Sequence, residues 1–369
     1  MLRTRLAGGL AALLLALPAC DSSETGADGP LAEAYINAGQ WTFIDVEGSQ
    51  CRDGSATGIG VRIQEDSDDL VIYLEGGGAC FNGATCATNP DSFSEGDFAS
   101  TVAARGNAGL FSTTNAANPV ADWNMVYVPY CTGDVHAGSF PNNTLLQAQG
   151  VAGAQQFVGH LNVERALDLL AEGLDSPDRV LLTGSSAGGL GALFNFDATA
   201  ETFTDSDLFL VDDSGPVFFE DNVYSPDLSA QVVALYNGPV AISDAAELFQ
   251  RDALPGIYEF YADRYPEAEF GLASYLGDDT FQFFYGFGQA PGDPITDEEY
   301  AAALRTVRAE APSWGTYYAE GDAHTFLLVP DRYYGTSAGV SVAAWLEALL
   351  SGNPTDVDPA TARQPLAAR

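Results

Sequence analysis

Short apolar runs bounded by turn residues recur along the chain, with stretches of helical spacing between them. Residues 58–63, 70–74, 124–128, 179–183, 208–211 and 314–318 are rich in Val, Ile, Leu and Tyr. Short runs that stay apolar at successive positions predict strands covered on both faces. Residues 270–275 read as one more strand. The clearest helical pattern is 152–174, where Phe157, Leu161, Ala166, Leu169 and Leu170 fall near one face. Residues 190–197, 297–309 and 340–350 are further helices, and 243–254 reads as a short one inside a long connection. Strand and helix in alternation predict an α/β fold, a mostly parallel sheet with helices on both faces. The connections 82–120 and 216–255 are long, as lids and binding loops often are.

The first residues do not belong to this pattern. Arg3 and Arg5 precede an apolar run from Leu10 to Leu17, and Leu17-Pro18-Ala19-Cys20 follows. A basic start, a short apolar core and small residues predict an export signal. Small residues leading into a cysteine resemble a bacterial lipobox, which makes Cys20 the expected lipidation site and the N-terminal lipid the only membrane contact. An ordinary signal peptide, giving a secreted protein, is the alternative. Residues 21–34 are small, polar and acidic and read as a flexible tether. Residues 35–352 then form one large α/β domain with long loop insertions, and 353–369 a loose tail.

Charge narrows the partners. The chain of 369 residues carries 51 Asp and Glu against 14 basic residues, a net charge of -37, and every basic residue is an arginine. Nucleic acid needs a basic surface and is not an expected partner. Five cysteines are present. With Cys20 taken by lipid, Cys51, Cys80, Cys86 and Cys131 remain, an even set that predicts disulfides in an exported protein. Cys80 and Cys86 lie close enough for a local staple, which leaves Cys51 with Cys131. The spacings fit no zinc pattern, so neither metal nor cofactor is expected.

The sequence "LLTGSSAGGLGALF" carries the chemistry. Gly184-Ser185-Ser186-Ala187-Gly188 fits G-x-S-x-G between an expected strand and an expected helix, the context that motif requires. A sharp strand-to-helix turn thrusts Ser186 above the sheet, and the glycines on either side avoid a clash. A serine alcohol needs a base. The histidines are His136, His160 and His324. His160 falls inside a helix, and His136 sits on a loop that could line a pocket. Only His324, in "AEGDAHTF", follows the serine and the last strand, as the hydrolase order Ser, acid, His demands. For the acid, Asp212 and Asp213 in "LFLVDDSGP" compete with Asp278 and Asp279 in "YLGDDTFQ", and position alone does not separate them. The triple glycine in "YLEGGGACF" follows a strand where oxyanion-hole amides stand in esterases.

Taken in order, "YLEGGGACFN", "YCTGDVHAG", "TGSSAGGLGA", "DDSGP" and "GDAHT" resemble the pectin acetylesterase/Notum family of carboxylesterases, from about Cys51 to His324. The resemblance implies an α/β-hydrolase fold and a triad of Ser186, Asp279 and His324. Asp279 is favoured because Asp279-Thr280-Phe281-Gln282 keeps the family's Asp-x-x-Gln spacing. It implies oxyanion donors at Gly77, Gly78 and Ala187, and supports the Cys80–Cys86 loop. Gly78 stands where animal members place a tryptophan, so their large acyl pocket does not carry over. The expected protein is an exported serine esterase, a monomer, that removes acetyl or other small acyl groups from an acylated polysaccharide. The alternatives are a lipase, a protein deacylase or a peptidase on the same triad, and a non-catalytic surface binding protein on this fold.

Overall fold

The computed structural model describes residues 29–103, 106–219, 223, 233–249, 254–286 and 295–362. The export signal, Cys20 and residues 21–28 lie outside the described residues. A sheet of 8 strands organises the chain in the spatial order β1-β2-β4-β3-β7-β8-β9-β10. These are β1 (Thr42–Gln50), β2 (Ala56–Arg62), β3 (Asp69–Leu74), β4 (Asn124–Val128), β7 (Arg179–Ser185), β8 (Asp207–Asp213), β9 (Glu269–Tyr275) and β10 (Trp314–Ala319). The first two joints, β1 with β2 and β2 with β4, are antiparallel, and the others are parallel. The short strands β5 (Phe140–Asn143) and β6 (Gln155–Phe157) pair with each other apart from this sheet.

Side chains alternate to the two faces of the parallel strands, and each face is buried under helices. From β3, Leu70, Ile72 and Leu74 join Val163 and Leu193 in one apolar layer, while Val71 and Tyr73 join Leu181 and Trp345 in the other. β1 differs in kind. Its residues alternate buried and exposed, as an edge strand with one solvated face does, and a search for wholly apolar runs passes it by. The helix expected over 152–174 is Gly159–Gly173, because Gly153 adopts φ 75° and residues 155–157 are drawn off into β6. Its stripe of His160, Val163, Ala166, Leu167 and Leu170 faces the core.

Both ends of the domain extend further than the sequence reading placed them. Leu31 is buried and packs on Gly173, so residues 31–34 belong to the domain and not to a tether. The tail is not loose over its described part. Val357 is buried and bridges Tyr317 on β10, and Asp358 pairs with Arg305 and Arg308. The disulfides Cys51–Cys131 and Cys80–Cys86 are both present, as read from the sequence.

Candidate active site

β7 ends at Ser185, and the helix Ala187–Thr202 begins two residues on. Ser186 makes the turn between them with φ 62° and ψ -122°. A non-glycine residue there carries about 1–3 kcal/mol of backbone strain that the surroundings must hold. They do so by close packing. A Cβ at Gly184 would sit 2.3 Å from the Gly188 carbonyl oxygen, and one at Gly188 would sit 2.0 Å from that of Leu74. The Ser186 N–H donates to the Asp213 carbonyl at 2.7 Å, which fixes the turn to the neighbouring strand.

His324 lies on the loop after β10. Its Nδ1 is 2.8 Å from Oδ2 of Asp278, a carboxylate with no solvent exposure. The acid beside the histidine is therefore Asp278, and the sequence preference for Asp279 is corrected. Asp278 is the N-cap of the helix Asp279–Tyr285, and its Oδ1 accepts the N–H groups of Thr280 at 3.1 Å and Phe281 at 3.0 Å. That cap turns the carboxylate inward. Asp279, the first helical residue, is exposed. Nε2 of His324 is buried and makes no hydrogen bond among the described residues. Ser186 and His324 line one cavity of about 470 Å³. The Arg332 guanidinium holds the loop from behind, donating to the carbonyls of His324 and of Thr325, the latter at 3.0 Å.

The glycine turn after β3 lies on the other side of Ser186. Gly76, Gly77 and Gly78 line the same cavity. A Cβ at Gly76 would stand 2.2 Å from the Ser185 carbonyl, so only glycine lets the turn approach Ser186. Gly78 has φ 79°. The carbonyls of this turn are tied back into the protein. Asn89 donates to Gly77 O at 2.6 Å, and the Tyr130 hydroxyl donates to Gly78 O at 2.7 Å. The Glu75 side chain accepts the Tyr130 N–H at 2.8 Å. Sequence reasoning missed Glu75, Asn89, Tyr130 and Arg332 because their partners are backbone groups that no sequence motif marks, more than fifty residues away for Glu75 and Tyr130. Ala187 opens the helix directly after Ser186 and is buried.

The other histidines have structural surroundings. His136 is buried against Tyr130, and its Nε2 meets the Glu75 carbonyl at 2.8 Å, so it braces the glycine turn from below. Burial lowers its pKa to about 4 and keeps it neutral. His160 pairs through Nδ1 with Asn195 at 2.7 Å. Of the aromatic residues that could face a sugar, Tyr258, Tyr261 and Tyr285 are buried in the core, Phe284 packs on Gly78, and Phe283 is exposed. Among the described residues, no group of three or more His, Cys, Asp or Glu side chains is placed to hold a metal.

A mostly parallel sheet, a strained serine between strand and helix, and a histidine–aspartate pair on the loops after the later strands define an α/β hydrolase. Comparison with known proteins agrees. The Drosophila Wnt deacylase Notum has this fold, with a TM-score of 0.66 and 19% identity over 86% of this chain and 95% of that one. The chain belongs to the pectinacetylesterase family, whose profile matches residues 36–255. It is 32% identical over 167 residues to the palmitoleoyl-protein carboxylesterase notum1a of Danio rerio, covering 43% of this chain and 31% of the relative. It is 34% identical over 159 residues to the palmitoleoyl-protein carboxylesterase NOTUM of Homo sapiens, covering 41% and 30%. Against pectin acetylesterase 5 of Arabidopsis thaliana it is 32% identical over 160 residues, covering 41% and 35%. The matched region thus spans about a third of the length of these relatives.

Proposed function

We propose that this protein is a serine carboxylesterase that removes small acyl groups, acetyl foremost, from hydroxyls of an acylated polysaccharide. The observation that carries the reading is the His324–Asp278 pair at 2.8 Å, with Nε2 left unbonded in the cavity that also holds Ser186. A carboxylate on Nδ1 keeps the proton on that nitrogen and the lone pair on Nε2. His324 then takes the Ser186 proton as Oγ attacks the acyl carbon, and Asp278 steadies the imidazolium. The N–H groups of Gly77, Gly78 and Ala187 receive the developing oxyanion, and the helix N-terminus at Ala187 favours the same charge. His324 returns the proton to the departing alcohol, and water repeats the sequence on the acyl-serine. No metal or cofactor enters the scheme. The disulfides suit an exported protein. We place it on the cell envelope through a lipid on Cys20, or in the secreted fraction.

A second reading, a deacylase for longer acyl chains, is favoured by the lining of the cavity. Val102, Phe111, Leu328 and Val329 give it an apolar wall, and about 470 Å³ exceeds the needs of acetyl. Ser186→Ala tests the chemistry. Ester hydrolysis and labelling by a fluorophosphonate should both vanish while the protein stays folded, and near-normal hydrolysis would refute the assignment. Rates on p-nitrophenyl esters from two to sixteen carbons, with acetate release from acetylated polysaccharides, then separate the two substrates.

A further inference from the structure

We infer that Asp213 is a positioning residue that clamps the nucleophile turn to the histidine loop and sets the alignment of Ser186 with His324. This rests on the proposed esterase chemistry. Asp213 ends β8 and pairs in register with Ser185, the residue before the nucleophile. Its backbone carbonyl accepts the Ser186 N–H at 2.7 Å. Its side chain, which has no solvent exposure, reaches both halves of the site. Oδ2 accepts the Ser185 hydroxyl at 2.6 Å and the Leu327 N–H at 3.0 Å. The Phe326 N–H lies 3.0 Å from each carboxylate oxygen. Ser214 adds its hydroxyl to Oδ1 at 3.2 Å, and the same hydroxyl accepts the Thr325 N–H at 3.3 Å.

One buried carboxylate therefore holds the chain one residue before the nucleophile and two residues beyond the base. Its hydrogen-bond partners are all donors, Asp212 is its buried acidic neighbour, and no arginine lies on it among the described residues. Burial raises its pKa, and the donors and a positive His324 work against that rise. A buried anion surrounded by N–H and O–H dipoles is held as a charge-assisted network, and removing its charge loosens every member at once. The charge also acts on the ring. The charged groups around His324 are Asp278 on Nδ1, Arg332 on its carbonyl, Glu75 across the cavity and Asp213 beneath its loop. Asp278 on Nδ1 steadies the imidazolium that forms in each acyl-transfer step, while Asp213 holds the loop that carries the ring.

Asp213→Asn keeps the shape and replaces one acceptor oxygen with an NH2 group that opposes the Phe326 and Leu327 donors. On p-nitrophenyl acetate, kcat should fall at least tenfold while KM stays within twofold. A merely structural role would lower the yield of folded enzyme and leave kcat per folded molecule in place. A smaller fall in kcat, or a fall carried by KM, overturns the inference. If Asp213→Asn does not fold, Ser185→Ala decides, since it removes only the hydroxyl on Oδ2. A loss of kcat of at least threefold at unchanged KM supports the clamp, and parental kcat overturns it. Ser186→Ala assayed alongside keeps the two readings apart. Activity surviving there refutes the esterase assignment, whereas a normal Asp213→Asn enzyme with a dead Ser186→Ala refutes only the clamp.

Discussion

Replacing Asp278 by asparagine is the sharpest probe of the site, because the consequences for activity and for stability diverge. The carboxylate makes two kinds of bond. Oδ2 meets Nδ1 of His324 at 2.8 Å, and Oδ1 caps the following helix through Thr280 and Phe281. Asparagine caps as well as aspartate, so its amide oxygen keeps the two N–H partners and its NH2 group turns toward Nδ1. An NH2 donor there requires Nδ1 to be unprotonated, which moves the ring proton to Nε2, where the serine needs a lone pair. The same exchange in a Ser-His-Asp hydrolase costs about 10⁴ in kcat, equivalent to about 5.4 kcal/mol at the usual value per tenfold. Folding should change by only about 1 kcal/mol, since the cap and a neutral hydrogen bond survive. Asp279→Asn, on the exposed neighbour, should leave kcat within twofold. Initial rates on p-nitrophenyl acetate with parallel thermal melts read both quantities. A loss above a hundredfold in Asp279→Asn, with Asp278→Asn retaining a tenth or more of the activity, would refute the assignment of the acid.

Two further outcomes follow from burial and covalent linkage. Burial raises Asp134 to about 6 and lowers His136 to about 4, so the two oppose each other in stability. The folded state binds more protons than the unfolded at Asp134 between about pH 4 and 6, a gain as pH falls. At His136 it binds fewer between about pH 4 and 6.5, a loss as pH falls. Asp134→Asn should leave only the loss, so its Tm should drop more steeply than the parent's from pH 6.5 to 4, and parallel curves would show that these groups do not set the slope. Opening Cys51–Cys131, which spans 80 residues, with a double alanine variant should cost about 4–5 kcal/mol by loop entropy, about twice the figure for the 6-residue span Cys80–Cys86. Urea midpoints of the two variants test that order.

What the sequence reveals here depends on how far apart the interacting residues lie. The strained serine was legible because strand, turn, glycines and helix are contiguous from Arg179 to Thr202. His324 was legible from chain order. The choice of acid failed because Asp278 and Asp279 follow the same strand, and spacing says nothing of which carboxylate turns inward. The N-cap geometry decides it, and the preference for Asp at the position before a helix was the signal available. Tyr130 acts on a backbone carbonyl 52 residues away, and Asn89 and Arg332 act on carbonyls across irregular loops, so no local pattern marks them. Asp213 stood in the sequence only as a rival acid, and its real contacts are with amides more than a hundred residues away.

The short ladder between the tail and β10 matters beyond the fold itself. β10 is the last strand of the sheet, and the Val357 N–H and C=O bond to Thr316 and Tyr318 at 2.7 Å each, with Asp356 adding a side-chain contact to Thr316. The segment acts as a bumper, blocking the row of donors and acceptors on which a second molecule could add a strand of its own. Any shortened version of the chain that stops before Val357 would therefore trade a few ordered residues for a sticky flank and a tendency to clump.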